Sequence, residues 1–215
     1  LEEAAMRLYK EWFVYLRFPG YENTPIVDGV PEGWERSNLS DVADVIMGQS
    51  PKSEYYNTEQ KGLPFHQGVT SYGDRFVASK IFTTVFTRTA DVGSVLFSVR
   101  APVGRINITK EKIAIGRGLA ALNHKTNLQS LLFYMLKDRF YKDDLIGNGA
   151  IYASITKDEL YGQVFLIPTD ELSRKYNDIT CEFDRKIEAL DTQIVLLKQA
   201  RDKLLPKLMS GEIEV

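Results

Sequence analysis

Cysteine and histidine, on which many metal and catalytic sites depend, are scarce in this 215-residue chain, which has one cysteine and two histidines. Cys181 has no second cysteine to pair with, so an internal disulfide is excluded, and we expect a reducing, cytoplasmic location. His66 and His124 lie far apart, and neither has a cysteine or carboxylate at ligand spacing. We therefore expect no metal site.

Motifs of common catalytic folds are also missing. The chain has no phosphate-binding loop ending in Gly-Lys-Ser/Thr, no nucleophile elbow, and no Asn/Asp-Pro-Pro-aromatic tetrapeptide of the kind expected in an adenine methyltransferase. No apolar run approaches the roughly 18 residues of a membrane span, and the acidic, amphipathic start does not resemble a signal peptide. We expect a non-catalytic protein without a cofactor and, because the chain starts at Leu1, a fragment or trimmed chain.

The net charge of −2 conceals a basic block. Between Arg75 and Lys125 there are nine basic residues and only two acidic ones, Asp91 and Glu111, which gives this window a charge of +7. Such a block is typical of a surface that binds a polyanion. The alternative is a solvated face whose charges pair with acids elsewhere in the chain.

The chain divides into four segments of different composition. Residues 1–20 predict a short amphipathic helix, residues 21–33 a linker rich in proline and glycine, residues 34–168 a globular domain, and residues 169–215 a long helix. The apolar stripe expected on the first helix consists of Leu1, Ala5, Leu8, Trp12 and Leu16.

The central segment predicts an α+β fold. Strands are expected at residues 94–99, 104–108 and 112–115, with a turn at Ala101-Pro102. Asn127 is expected to be the N-cap of a helix over residues 128–141. A tight turn at Asn148-Gly149 is expected before a strand over residues 151–155.

The last segment predicts a helix roughly 60 Å long at about 1.5 Å per residue. Apolar residues recur along it at steps of three and four, with Arg201 in the one position that departs from the pattern. This spacing is typical of a coiled-coil seam. The seam residues, which we expect to pair the helix with a partner helix, are Ile187, Leu190, Ile194, Leu197, Leu204 and Leu208.

Several polar side chains in and around the basic block have the chemistry of DNA contacts. Arginine forks bind phosphates or the O6 and N7 of guanine, and amides pair with adenine edges. The alternative for each is an ordinary surface turn or a residue packed on the core. The candidate DNA-binding residues are Arg100, Arg105, Arg117, Lys52, Gln49, Gln67, Asn107, Asn148, Tyr152 and Arg75.

Several strings in this sequence resemble the specificity (S) subunit of Type I restriction–modification systems, in order and in spacing, across essentially the whole chain. The opening at residues 8–20 resembles the segment that follows the central conserved helix of that subunit. The other strings are PEGWE (31–35) with LSDVA (39–43), GQSPKS (48–53), SVRAPVG (98–104), IGRGL (115–119) and RDKLLPKLMSGEI (201–213).

The resemblance implies a non-catalytic subunit that reads DNA for its partners. An S subunit carries two target recognition domains joined by two conserved helices, which pair as an antiparallel coiled coil. Each domain reads half of a split site, modification (M) subunits methylate adenine with S-adenosylmethionine, and restriction (R) subunits cleave. Only one recognition domain is present here, so the chain is either a half-subunit that dimerises and reads an inverted repeat, or the C-terminal half of a two-domain subunit.

Two alternatives stay open at this point. The chain could be a coiled-coil scaffold whose globular domain binds another protein, which salt-insensitive association without DNA protection would favour. It could also belong to an enzyme, as the recognition module of a fused restriction–methylation polypeptide.

Overall fold

A short N-terminal helix packs against the first half of a long C-terminal helix. The structure, a computed structural model, describes residues 1–78, 80–140 and 154–212. Helix α1 (Glu2–Tyr9) continues as a π-helical turn at Lys10–Val14. The expected N-terminal helix is therefore confirmed. Ala5 and Trp12 of its expected stripe are buried, but so are Tyr9 and Phe13, whereas Leu1 is 51% exposed.

Short strands and helices fill the chain between these two helices. In chain order they are β1 (Ile26–Val27), β2 (Val30–Pro31), β3 (Glu35–Asn38), α2 (Leu39–Val42), β4 (Ala43–Met47), β5 (Tyr56–Asn57), β6 (Leu63–His66), β7 (Phe82–Thr83), β8 (Thr89–Ala90), β9 (Val95–Ser98), β10 (Ile106–Ile108), β11 (Ile113–Ile115), β12 (Leu119–His124), α3 (Gln129–Phe140), α4 (Lys157–Tyr161) and β13 (Val164–Ile167). The expected α+β class is confirmed.

Two larger sheets form the β-rich part of the fold. An antiparallel sheet has the order β10-β9-β12-β4, and a second, mixed sheet has the order β5-β7-β6-β11-β8, in which only β6 and β11 run parallel. Strands β13 and β3 pair separately, as do β1 and β2. The strands expected at residues 94–99, 104–108 and 112–115 are confirmed as β9, β10 and β11.

Strands β9 and β12 are buried on both faces, which explains their continuous apolar sequences. Val95 and Phe97 of β9 belong to a large core with the helices, whereas Leu96 points to the opposite face and joins a smaller core. That smaller core also contains Ile113 and Ile115 of β11. The four-stranded sheet therefore lies between the helices and the five-stranded sheet.

The predicted helix after β12 is confirmed, but its predicted cap is wrong. Helix α3 begins at Gln129, and Asn127 has a left-handed φ of 62° in the preceding turn, where its N–H donates to the carbonyl oxygen of His124. The amide side chain of Gln129 instead fixes the end of β12, since its Oε1 accepts from the His124 N–H at 2.9 Å. The turn at Asn148-Gly149 and the strand expected at residues 151–155 lie outside the described residues, apart from the last two positions of that strand.

The long helix α5 (Asp170–Met209) confirms the predicted C-terminal helix, which was expected over residues 169–215. Thr169 caps it, accepting from the Leu172 N–H at 3.4 Å. Its first half packs on α1 and α3, where Tyr176 is fully buried and donates its hydroxyl hydrogen to the carbonyl oxygen of Ala5 at 3.0 Å. Beyond Ile187 the seam leucines are exposed, with Leu197 at 68%. Among the described residues, no helix has the length and apolarity that crossing a membrane requires.

Candidate nucleic-acid interface

Three loops meet at one edge of the two larger sheets. The backbone N–H of Gly118 donates to the carbonyl oxygen of Gln67 at 3.1 Å, and the N–H of Arg117 donates to the hydroxyl of Ser50 at 3.1 Å. These bonds join polar segments that the sequence keeps apart. The loops span residues 48–55, 67–71 and 116–118.

Glycines allow these loops to approach each other closely. A Cβ added at Gly48 would lie 2.2 Å from the carbonyl oxygen of Gly116, and one added at Gly118 would lie 2.3 Å from the carbonyl oxygen of Gln67. Both distances are far inside van der Waals contact with backbone atoms that cannot easily move. The Gly-Gln-Ser and Gly-Arg-Gly strings are therefore required for the packing of this edge as well as for its chemistry.

A continuous run of exposed polar side chains follows from this packing, and we name it the polar strip. At one end the Thr87 hydroxyl donates to Oε1 of Gln49 at 3.1 Å, and the carbonyl of Arg88 accepts from the Ile115 N–H. At the other end the Val99 N–H donates to the Gly118 carbonyl, next to Arg100. The polar strip consists of Arg88, Gln49, Arg117, Gln67 and Arg100, all exposed.

Three members of the polar strip line one shallow pocket. Gln67, Arg100 and Arg117 surround a cavity of about 160 Å³, together with the edge of the turn at Ala101. Two arginines and a glutamine thus line one concavity. This set of donors suits a phosphate or a purine edge, since arginine forks bind both bidentately.

Lys52 and Arg105 lie beside the polar strip and do not belong to it. The Lys52 side chain is 80% exposed on the same loop as Gln49, with its Nζ 3.8 Å from Oε1 of Glu54. Arg105 is half-buried on the far side of the Ala101-Pro102 turn, where it lines a different pocket of about 280 Å³. Arg100 and Arg105 thus flank one turn, as the sequence requires, but line separate pockets.

Two candidates are removed by burial. Arg75 is 5% exposed, and its guanidinium donates to Glu2 at 2.8 Å and to Asp184 at 2.5 Å. Asn107 is 1% exposed, and its amide donates to the carbonyl oxygen of Gly73 at 2.9 Å. Neither side chain lies on a surface that DNA could reach, so both are corrected to interior residues. Asn148 and Tyr152 lie outside the described residues.

Arg88 belongs to the polar strip, although the sequence around it does little to mark it as a contact residue. It lies in the basic block, but no glycine or proline marks its position. Its carbonyl is fixed by β11, and its side chain is exposed next to Thr87.

Within the described part of the chain, no group of three histidine, cysteine or carboxylate side chains could hold a metal ion. The arginines and glutamines of the polar strip can form charge-assisted hydrogen bonds.

Replacing Gly118 with alanine is expected to disturb both folding and binding at this edge. The new methyl group meets the Gln67 backbone, so we expect the free energy of unfolding to fall by about 1–3 kcal/mol, as in other overpacked sites. Gly68→Ala is the matched control, since its Cβ meets nothing within 4 Å and its φ of −171° is ordinary extended backbone. Urea denaturation of both variants measures the difference, and equal stabilities would contradict the packing described here.

Acid is expected to destabilise the protein through His66, which precedes Gln67. Burial lowers the pKa of His66 to about 4, below the value near 6.5 expected in the unfolded chain. The unfolded state therefore binds more protons between these values, so stability is lost as the pH falls from about 6.5 to about 4, by up to roughly 3 kcal/mol. Urea denaturation measures the free energy of unfolding at pH 7 and at pH 4.5. The fall between these two pH values should be smaller for His66→Gln than for the wild type, and an equal fall in both proteins would contradict this role of His66.

Residues 31–199 match the model of the Type I restriction modification DNA specificity domain. A putative type I restriction enzyme specificity subunit, MjaX of Methanocaldococcus jannaschii, is 33% identical over 192 residues, which are 86% of this chain and 45% of that protein. The MjaIX specificity subunit of the same organism is 27% identical over an alignment that covers all of this chain and 53% of that protein. The chain thus spans about half the length of these relatives.

Several solved structures are also similar to this chain. The HsdS subunit of Thermoanaerobacter tengcongensis has a TM-score of 0.65 and 32% identity, covering 99% of this chain and 51% of that one. Another solved chain comes from a structure that describes complex assembly and conformational transition of the type I R-M system. It has a TM-score of 0.64 and 33% identity, and the match covers 96% of this chain and 52% of that one. The S subunit from M. genitalium shares the fold, with a TM-score of 0.62 and 17% identity, and the match covers 86% of this chain and 48% of that one.

Proposed function

The chain belongs to the family of Type I restriction–modification DNA specificity domains, and on that premise we propose that it is a sequence-specific DNA-recognition component of a Type I complex. It reads one half of a bipartite site through residues 34–168, the segment that we assign as its target recognition domain. It contributes no catalytic group of its own. Adenine methylation and DNA cleavage are carried out by partner M and R subunits, and the chain works in the cytoplasm.

The polar strip is the observation that carries this proposal. It presents three arginines and two glutamines on one exposed edge, and three of these residues line one pocket. Arginine and glutamine are the side chains that pair bidentately with guanine and adenine, and arginine also neutralises phosphates. Lys52 lies close enough along its loop to add a phosphate contact at the edge of the strip.

The exposed half of α5 supports self-association. Leu190, Ile194, Leu197, Leu204 and Leu208 are between 39% and 68% exposed along one face of a helix that is buried on the same face closer to its start. A second helix on this face would bury the seam and would set the distance between two recognition domains. A symmetric pair of copies reads an inverted repeat.

Substituting two seam leucines with glutamate is expected to abolish this association. Burying one leucine contributes about 1.5–3 kcal/mol, so Leu197→Glu with Leu204→Glu should raise the dimer dissociation constant at least about a hundredfold. Leu196→Glu is the matched control, because Leu196 is 58% exposed but lies off the seam. Sedimentation equilibrium measures the dimer dissociation constant of the wild type, the double variant and Leu196→Glu. A wild-type chain that is monomeric at every concentration would contradict self-association.

Methyl transfer tests the proposed division of labour. The chain, its cognate M subunit and labelled S-adenosylmethionine are incubated with duplex DNA. The reaction is repeated with each of the two proteins left out in turn. We expect adenine methylation at one sequence motif only when both proteins are present. Methylation by the chain alone would contradict a non-catalytic role, and methylation by the M subunit without regard to sequence would contradict the recognition role.

A further inference from the structure

Exposed apolar side chains gather next to the polar strip. Among described residues 34–168, six large hydrophobic side chains are exposed, and four of them lie close to β7 along the chain or through a backbone bond. Val85 and Phe86 lie on the loop that follows β7, and Ile81 directly precedes β7. Thr84 of the loop donates its N–H to the carbonyl oxygen of Tyr55 at 3.3 Å, which places Tyr55 next to the loop. Single exposed hydrophobics are ordinary on protein surfaces, whereas neighbouring ones such as Val85 and Phe86 indicate a contact surface.

The tip of this loop is fixed at both ends. On one side the fully buried Thr83 holds Val85, since its hydroxyl donates to the Val85 carbonyl at 2.8 Å. On the other side Thr87 donates to Gln49, and the Arg88 carbonyl accepts from β11. Val85 and Phe86 are therefore held outward, 41% and 42% exposed, so that little conformational entropy is lost when they enter a partner.

The surroundings of the tip identify the partner. Arg88 follows Phe86 by two residues, and Arg117 lies next to Gln49 across the hydrogen-bonded loops. An apolar protein surface would not suit an aromatic tip beside several cations, whereas a polyanion with stacked aromatic bases suits both features. DNA-binding proteins combine these features when an apolar side chain enters between neighbouring base pairs and bends the duplex.

We propose that Phe86, supported by Val85, is an apolar wedge that inserts between two adjacent base pairs of the half-site read by the polar strip. The inference rests on the proposed function and adds a mode of recognition to it. Insertion makes binding sensitive to how easily one base step unstacks, so Phe86 is a specificity residue at a position that hydrogen bonds do not read.

Fluorescence of 2-aminopurine tests the wedge at single-base resolution. The chain is assembled with its cognate M subunit and saturated with duplexes carrying its selected half-site, with 2-aminopurine at each position in turn. We expect one base step whose fluorescence rises on binding, with this rise lost in Phe86→Ala and restored in Phe86→Trp. We also expect Phe86→Ala to weaken binding roughly tenfold, by the usual contribution of a stacked aromatic side chain.

Two controls separate the wedge from its premise. Val92→Ala removes another exposed apolar side chain, 68% exposed and on a different loop, and should leave binding and fluorescence unchanged. The M subunit flips the adenine that it methylates, so the signal at that adenine should survive in Phe86→Ala.

Three results overturn the wedge. One is the absence of any Phe86-dependent step in a complex that binds its half-site. Another is a loss of M-subunit assembly, without a loss of DNA binding, in Phe86→Ala, which would assign Phe86 to a protein interface. A wild-type complex that selects no half-site removes the proposed function and the wedge with it.

Discussion

Replacing Arg75 with methionine is expected to lower the free energy of unfolding by about 3–5 kcal/mol, the usual cost of removing one partner from a buried ion pair. The Arg75 side chain is 4% exposed, between Glu2 of α1 and Asp184 of α5. Its guanidinium also stacks 4.2 Å from the ring centroid of Phe133 in α3. Methionine keeps much of the apolar volume but leaves two carboxylates without their shared cation.

The surrounding contacts decide how large this loss is. Asp184 keeps hydrogen bonds from Ser130 at 2.6 Å and Tyr134 at 3.0 Å, and Glu2 keeps its ion pair with Lys137. Burial raises the pKa of Glu2, but the hydrogen bonds from Lys137 and Arg75 outweigh it and lower that pKa below its usual value. Without Arg75, more of the desolvation of both carboxylates is uncompensated.

Chemical denaturation of Arg75→Met beside Arg88→Met measures the effect. Arg88 is exposed on the polar strip, so its substitution should change stability by less than about 0.5 kcal/mol. A loss below about 1 kcal/mol in Arg75→Met would mean that the buried network contributes little. That result would also mean that other contacts hold the β-rich part of the fold against the helices, because Arg75 joins α1, α3 and α5.

Neutralising two arginines of the polar strip is expected to have the largest effect on binding. Arg100 and Arg117 line one pocket, and each bidentate contact that an arginine makes contributes about 1–3 kcal/mol. The double variant Arg100→Gln, Arg117→Gln should therefore bind DNA roughly a hundredfold more weakly or worse. Where the contacts are to phosphates, the magnitude of the salt slope, d log K/d log[salt], should fall by roughly 2.

A pair of exposed arginines elsewhere provides the control for charge alone. Arg36 lies on β3 and Arg174 on α5, both exposed and both outside the polar strip. Arg36→Gln with Arg174→Gln changes the net charge by the same amount, so long-range attraction to DNA falls equally. Fluorescence anisotropy titrations at several salt concentrations compare the two double variants. Equal affinities and slopes would show that the polar strip does not contact DNA.

The periodic parts of the fold could be predicted from the sequence. The long helix was predicted over residues 169–215 and is observed over Asp170–Met209, because the hydrophobic repeat along it is a local signal. The strands β9, β10 and β11 were likewise marked by apolar runs between glycines and a proline. The phase of the first helix could not be predicted, because the π-helical turn at Lys10–Val14 is stabilised by packing against Tyr176 and Trp34.

The interior position of Arg75 and Asn107 could not be predicted from local sequence. The partners of Arg75 lie 73 and 109 positions away along the chain, and the partner of Asn107 lies 34 away. An arginine in a basic segment is usually exposed, and only tertiary contacts reveal the exception. The reverse holds for Arg88, which the sequence placed in the basic block without marking it as a contact.

The polar strip itself was partly predictable. Gln49, Gln67, Arg100 and Arg117 were selected individually for their chemistry. The arrangement of the strip depends on contacts between loops, such as Gly48 against Gly116 and Gly118 against Gln67, which pair residues far apart in sequence. Propensity and periodicity carry no information about such pairs.

Selection from random duplex DNA tests whether the chain recognises a DNA sequence through the polar strip. The chain is mixed with its cognate M subunit, the retained DNA is sequenced, and the Arg100→Gln, Arg117→Gln double variant is processed in parallel. We expect an enriched split motif for the wild type and loss of that enrichment for the variant. The two halves of the motif should be inverted copies if two copies of the chain pair, and different if a second domain completes the site. No enrichment from an intact, soluble wild-type complex would contradict sequence-specific recognition by this chain.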